Sequence, residues 1–130
     1  MNDLTYYADT DFILAIIKED DWLQSNAKQI LDENRGEIVT SAITFLETVL
    51  VLEKSGIDEV APIFEDILGF VEPLEVDDQT LLQAAFYIRD GANPFDAFHI
   101  AIAGNKKIIS SDKEFDKIGV ERLKLEEKQS

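Results

Sequence analysis

Two hydrophobic periods alternate along the chain, a short unbroken one and a longer one repeating every three to four residues. Leu4 to Ala8 is an aromatic and apolar run that reads as a short buried strand. Asp9-Thr10-Asp11 then supplies a helix N-cap before Phe12, Ile13, Ile16 and Ile17. A second helix is expected from Asp20 or Asp21 through Trp22, Leu23, Ala27, Ile30 and Leu31, stopping near Asn34 and Gly36. Glu37 to Thr40 reads as a strand, Ser41 or Thr44 opens a helix to about Ser55, and another helix is predicted from Asp58 to Leu68.

Phe70 to Val76 is a third strand, and Pro73 puts it at an edge or a strand end. Asp77 or Asp78 caps a helix through Leu81, Leu82, Ala85, Phe86 and Ile88 to Arg89. Asn93-Pro94 is a cap followed by a first-turn proline, opening a helix through Ala97, Phe98, Ile100, Ala101 and Ala103 to Gly104. Lys107 to Ser110 is a fourth strand, Lys113 to Ile118 a short helix and Arg122 to Leu125 a fifth strand. Short strands alternating with longer helices predict one α/β domain over residues 1–130, its mainly parallel sheet of four to five strands flanked by helices on both faces. In such sheets ligands sit beyond the carboxyl ends of the strands.

Composition narrows the chemistry. A chain of 130 residues that is 45% hydrophobic is the size of one domain and buries a real core. Charges interrupt every apolar stretch before it reaches the length of a membrane span, and the first residues lack the layout of a signal peptide, so a cytoplasmic protein is expected. The absence of cysteine excludes disulfides, thiol nucleophiles and thiolate zinc sites, and the single His99 excludes clustered-histidine sites. Oxygen ligands remain in quantity.

The net charge of −15 argues against broad non-specific binding to nucleic acid, which needs an excess of Lys and Arg. Residues 106 to 130 are nevertheless near balance, with seven basic residues against six acidic, so any phosphate-facing rim is expected there. The acidic remainder either draws a basic partner or adapts the protein to a salty cytoplasm.

Four carboxylates occupy unusual settings. Asp9 follows Leu-Thr-Tyr-Tyr-Ala, Glu47 lies within Ala-Ile-Thr-Phe-Leu-Glu-Thr-Val-Leu, Asp96 within Asn-Pro-Phe-Asp-Ala-Phe-His, and Asp112 follows Ile-Ile-Ser-Ser. Carboxylates among apolar residues are costly unless paired, protonated or bound to a cation. Brought together at strand ends they make a hard-cation site of the kind that hydrolyses phosphodiesters. Each has a plainer reading: Asp9 and Asp112 as helix caps, Glu47 on a solvated face, and Asp96 as favouring its helix's positive end. Thr10 and Asp11 cap as well as Asp9 does, which frees Asp9, whereas capping accounts fully for Asp11. Asp116 reads as a solvated face residue; His99, one helical turn from Asp96, is within reach of the site, but a lone histidine on an apolar helix reads as structural.

The segments Ala-Asp-Thr-Asp-Phe-Ile-Leu, Ser-Ala-Ile-Thr-Phe-Leu-Glu-Thr-Val, Pro-Phe-Asp-Ala-Phe-His-Ile-Ala-Ile-Ala and Ile-Ile-Ser-Ser-Asp-Lys-Glu-Phe resemble, in order, the four acidic motifs of the PIN domain. The size resembles that of the stand-alone PIN toxins of toxin–antitoxin pairs, the VapC type. The resemblance implies that Asp9, Glu47, Asp96 and Asp112 line a Mg²⁺ or Mn²⁺ site that hydrolyses RNA. It also implies that Asp116 matches a fifth, less regular acid and that Thr10 and Ser110 are hydroxyls beside the site. It further implies a strand order of 3-2-1-4-5, a homodimer, and inhibition by a small antitoxin whose tail enters the site; the acidity of this chain suits a basic one.

Two other readings stay open on sequence. Asp9-Thr10-Asp11, Ile38-Val39-Thr40 and Ser111 to Asp116 resemble the motifs of haloacid-dehalogenase-like phosphatases, although no Gly-Thr follows Asp11 and Glu47 and Asp96 are left without a role. A catalytically silent metal-binding or partner-binding domain is the third, since ligand residues alone do not prove turnover.

Overall fold

Five parallel strands in the order β3-β2-β1-β4-β5 form the centre of the protein. The structure is a computed structural model that describes residues 5–128, so Leu4 of the first expected strand lies outside the described residues. In chain order the elements are β1 (Tyr6–Ala8), α1 (Thr10–Ile17), α2 (Gln24–Glu33), β2 (Ile38–Thr40), α3 (Ala42–Lys54), α4 (Ala61–Leu68) and β3 (Glu72–Pro73). They continue with α5 (Asp78–Arg89), α6 (Pro94–Ala103), β4 (Lys107–Ser110), α7 (Glu114–Lys117) and β5 (Arg122–Lys124).

Strand alternation divides the core between the two faces of the sheet. Ala8, Ile38 and Ile109 face one side, where Phe12, Ile13 and Ala15 of α1, Leu23 before α2, Ala27, Ile30 and Leu31 of α2 and Ile67 of α4 pack. Tyr7, Val39 and Ile108 face the other, against Ile100, Ile102 and Ala103 of α6 and Phe115 of α7. The register sets β1 between β2 and β4, with Tyr6 beside Ile38 and Lys107. The carboxyl ends of β1 and β4 therefore lie side by side, with Ala8 opposite Ile109, and the residues following them share one edge.

Several boundaries depart from the sequence reading. α2 begins at Gln24 rather than Asp20 or Asp21, because Asp21 turns its Oδ1 to the Leu23 N–H at 2.9 Å and closes a turn; Trp22 stands outside the helix, 77% exposed. α4 starts at Ala61, with Pro62 in its first turn, and not at Asp58. The third strand shrinks to Glu72–Pro73 at the edge of the sheet, where Pro73 is tolerated because its nitrogen faces away from β2 and the Leu74 N–H donates to the Thr40 carbonyl at 2.9 Å. The apolar residues of α5 are not core residues: Leu81, Leu82, Phe86 and Ile88 are exposed, and only Ala84 of that helix is buried. α3 likewise presents Leu46 and Leu50 to the outside.

Candidate active site

Asp9 is the residue at which β1 gives way to α1. Its extended backbone makes it the N-cap, and its Oδ1 accepts the Thr10 N–H at 2.8 Å. Of the three residues that could cap the helix, Asp9 itself does so, and is therefore not freed of that job. Its other oxygen accepts from the Ser110 hydroxyl at 2.7 Å, across the adjoining end of β4. One carboxylate thus ties two strand ends together. Burial pushes its pKa above the ordinary value, although His99, Ser110 and the Thr10 amide all pull the other way.

Glu47 reaches the same place from the second turn of α3. Its Oε1 accepts from the Thr10 hydroxyl at 2.8 Å and is bonded by His99 Nε2. Burial alone would raise its pKa, but the hydrogen bond and charge of His99, with the Thr10 hydroxyl, outweigh that and hold it below the usual carboxylate range. Asp9, Glu47 and His99 each offer a donor atom, all within 4.8 Å of one another.

Asp96 sits in the first turn of α6, where Asn93 caps the helix and fixes its entry. It is half-buried, and burial together with the charge of Asp112 raises its pKa, with Glu47 and Glu114 adding to the repulsion. Asp112 is joined to Asp9 through Ser110, whose Oγ accepts the Asp112 N–H at 3.0 Å. One of its oxygens caps the turn that opens α7, accepting the Glu114 N–H at 2.9 Å. The Ser110 and Thr10 hydroxyls thus hold Asp9 and Glu47 together with His99. Asp96 and Asp112 stay outside that group of donor atoms, Asp96 linked to Glu47 and Asp112 by charge and Asp112 to Asp9 through Ser110. Such a donor set, rich in carboxylate oxygen and crowded with like charge, fits a hard divalent cation.

Asp116, by contrast, is engaged elsewhere. Arg122 donates to both of its oxygens, from Nε at 2.9 Å and Nη2 at 2.8 Å, and this pairing holds its carboxyl below the usual range. Asp11 was read as no more than a cap, yet its Oδ2 accepts the Ser111 N–H at 2.8 Å and is bonded by the Ser111 hydroxyl as well. Its Oδ1 is buried without a partner, and burial beside Asp9 pushes its pKa up to about 6. His99, read as structural, is fully buried and bonded into the acidic group. No sequence signal separates it from a core histidine, because its partners Tyr7 and Glu47 lie 92 and 52 positions away.

The arrangement defines a class of protein: a parallel α/β domain whose adjoining strand ends carry clustered carboxylates with donor atoms close enough to hold a cation. Residues 6–121 match the PIN domain, and the chain belongs to that family. Its fold is similar to that of the Mycobacterium tuberculosis toxin VapC20, described as cleaving the sarcin-ricin loop. That likeness has a TM-score of 0.75 at 17% identity, covering 92% of this chain and 99% of that one. It is similar also to VapBC2 of Rickettsia felis bound to a promoter DNA fragment, with a TM-score of 0.68 at 16% identity, covering 92% and 96% of the two chains. DNA-bound VapBC of Salmonella typhimurium matches with a TM-score of 0.65 at 22% identity, again covering 92% and 96%. At these identities the likeness is one of fold. A comparison of the sequence with curated proteins finds no match. The strand order implied by the PIN resemblance is the one observed, and the phosphatase resemblance finds no support in the family match.

Proposed function

We propose that this protein is a divalent-metal-dependent endoribonuclease, the toxin of a toxin–antitoxin pair. The observation that carries the reading is the meeting of Asp9 and Glu47 with His99, beside Asp96 and Asp112, at the strand ends of a PIN domain. Asp9, Glu47, Asp96 and Asp112 are the residues we assign to holding Mg²⁺ or Mn²⁺, with Asp116 as a fifth acid only if Arg122 releases it. The cation would supply positive charge for the scissile phosphate and lower the pKa of the attacking water. The chain's own contribution is order. Thr10 and Ser110 fix two carboxylates by hydrogen bonds, and burial strengthens every charge around the reacting phosphate. Water enters at phosphorus as the bond to the 3′ oxygen breaks, so the products carry 5′ phosphates and 3′ hydroxyls.

RNA is the substrate class, in keeping with what is said of VapC20. A basic antitoxin is the partner, since a guanidinium or ammonium set among Asp9, Asp96 and Asp112 would replace the charge of the metal. The VapBC assemblies of similar fold favour such a partner. A second copy of the chain would cover exposed apolar residues such as Leu46, Leu50, Leu82 and Phe86, which supports a homodimer. Among the described residues no helix is long and apolar enough to cross a membrane, in keeping with action in the cytoplasm.

The test is turnover of structured RNA and of a phosphate monoester with Mg²⁺, Mn²⁺ or chelator, for the wild type and Asp9→Asn. The expected result is RNA cleavage that needs metal, falls at least about 100-fold in Asp9→Asn, and is not matched on the monoester. Cleavage indifferent to chelator, or turnover of the monoester alone, would overturn the reading.

A further inference from the structure

Tyr7 and His99 are fully buried polar residues to which the proposed chemistry gives no task. A phenylalanine would fill the space of Tyr7, so packing does not account for its hydroxyl. That hydroxyl lies 2.7 Å from Ser41 Oγ and 2.7 Å from His99 Nδ1, and Ser41 is itself fully buried. On the other side of the imidazole, Nε2 bonds Glu47 Oε1 and has Asp9 Oδ1 at 3.5 Å. Ser41, Tyr7, His99 and Glu47 thus form one chain of hydrogen bonds from the end of β2, through β1 and α6, to α3.

We propose that His99, held by Tyr7 and Ser41, is a positioning residue that fixes the Glu47 carboxylate with its Nε2 proton and does not itself ligate the cation. This inference rests on the nuclease reading above. Nε2 faces two carboxylate oxygens, and an ionised carboxylate only accepts, so Nε2 carries a hydrogen. In the neutral ring Nδ1 then accepts from Tyr7, whose own oxygen accepts from the Ser41 hydroxyl. In the doubly protonated ring the sense reverses, with Nδ1–H donating to Tyr7 and Tyr7 to Ser41. The chain is satisfied in both states, and in both Nε2 has no lone pair to offer a metal.

The rest of the site agrees. Thr10 and His99 both bond Oε1 of Glu47, so neither occupies Oε2, which stays available to a cation. Hard cations such as Mg²⁺ prefer carboxylate oxygen to imidazole nitrogen. Hydrogen bonds behind a ligating group set its orientation, and their loss typically costs about 10- to 100-fold in metal affinity.

Because His99 is the sole histidine of the chain, ¹⁵N–¹H correlation spectra contain one imidazole. Without metal, Nε2 is expected to carry its proton, and saturating Mg²⁺ should leave it there. Tyr7→Phe keeps the ring and its volume; it should remain folded by its melting curve, shift the imidazole signals, and bind Mg²⁺ about 10-fold more weakly by calorimetry. His99→Gln, which retains a donor, should bind Mg²⁺ more tightly than His99→Ala. Loss of the Nε2 proton on adding Mg²⁺, or wild-type Mg²⁺ affinity in Tyr7→Phe, would overturn the proposal. If even the wild type takes up no Mg²⁺, the nuclease reading fails, while the metal-free spectrum still decides the relay: an unprotonated Nε2 there contradicts it.

Discussion

Two groups of carboxylates lie on either side of Ser110, and the protein handles them in opposite ways. Beyond the carbonyl of that residue, Asp116 and Glu126 close on Arg122, whose side chain is 1% exposed and which also donates to the Ser110 carbonyl at 2.7 Å. Arg122 holds Asp116 below its ordinary pKa, and at Glu126 it outweighs the upward push of burial. Beyond the Ser110 hydroxyl, Asp9 and Asp11 repel one another and Asp96 is repelled by Asp112 and Glu47; none of the three has an Arg or Lys among its bonded partners, and burial raises all three. The first group carries its own cation and holds the fold together. The second has no such internal cation, and on the proposed reading a divalent metal supplies it; His99 compensates only Glu47 in full. A carboxylate cluster built to be neutralised internally is structural, whereas one left in mutual repulsion is built to bind.

The strongest way to break this contrast is to remove the internal cation. Arg122→Met leaves Asp116, Glu126 and the Ser110 carbonyl without their donor and should lower the unfolding free energy by about 3 kcal/mol, read from urea melts. Added Mg²⁺ should not restore the loss.

Acidity sharpens the contrast, because the two groups respond with opposite sign. Asp11 ionises near 6 in the folded protein against 3.8 ordinarily, so ionising it costs more in the folded than in the unfolded chain. The penalty is absent below about pH 4, grows as the pH rises through the folded value, and stays constant above it. Asp11→Asn should therefore stabilise the metal-free protein by about 2 kcal/mol at pH 7 and flatten its decline between pH 4 and 6. Asp116 and Glu126 have lowered values, so their stabilisation is complete above the ordinary carboxylate pKa and is lost as the pH falls through the folded one. Glu126→Gln should flatten the acid limb of the stability curve by lowering stability in the neutral region, and leave stability at the acid extreme little changed. The smallest effect belongs to the exposed pair Lys117–Glu114, where Lys117→Ala should shift stability by less than about 0.5 kcal/mol in the same melts.

The sequence shows one of these groups and hides the other. Asp9, Glu47, Asp96 and Asp112 stand out because each interrupts an apolar pattern, and the strands before Asp9 and Asp112 place those two at one edge. Asp116 looks like any exposed acid, and its dependence on Arg122 appears only once β5 lies beside β4. Asp11 sits where a cap is expected, and its real partner Ser111 is 100 positions away. Tyr7 and Ser41 look like an ordinary strand residue and a helix cap, so their chain to His99 is invisible to periodicity. Local punctuation predicted the elements well, as at Asn93-Pro94 and Gly104 for α6. It failed where an apolar pattern belongs to an exposed surface, as on α5, since periodicity does not tell a core from an interface.

If Asp9, Glu47, Asp96 and Asp112 hold a divalent metal as proposed, the melting temperature with and without Mn²⁺ shows it most directly. In chelator, Asp96→Asn should melt at or above the wild type, because one member of a repelling set has been neutralised. Mn²⁺ at about 100 times its Kd should add about 2.7 kcal/mol to the wild type and nothing to the variant. A wild type indifferent to Mn²⁺, or an Asp96→Asn protein that is much less stable in chelator, would show that these carboxylates serve the fold and not a metal.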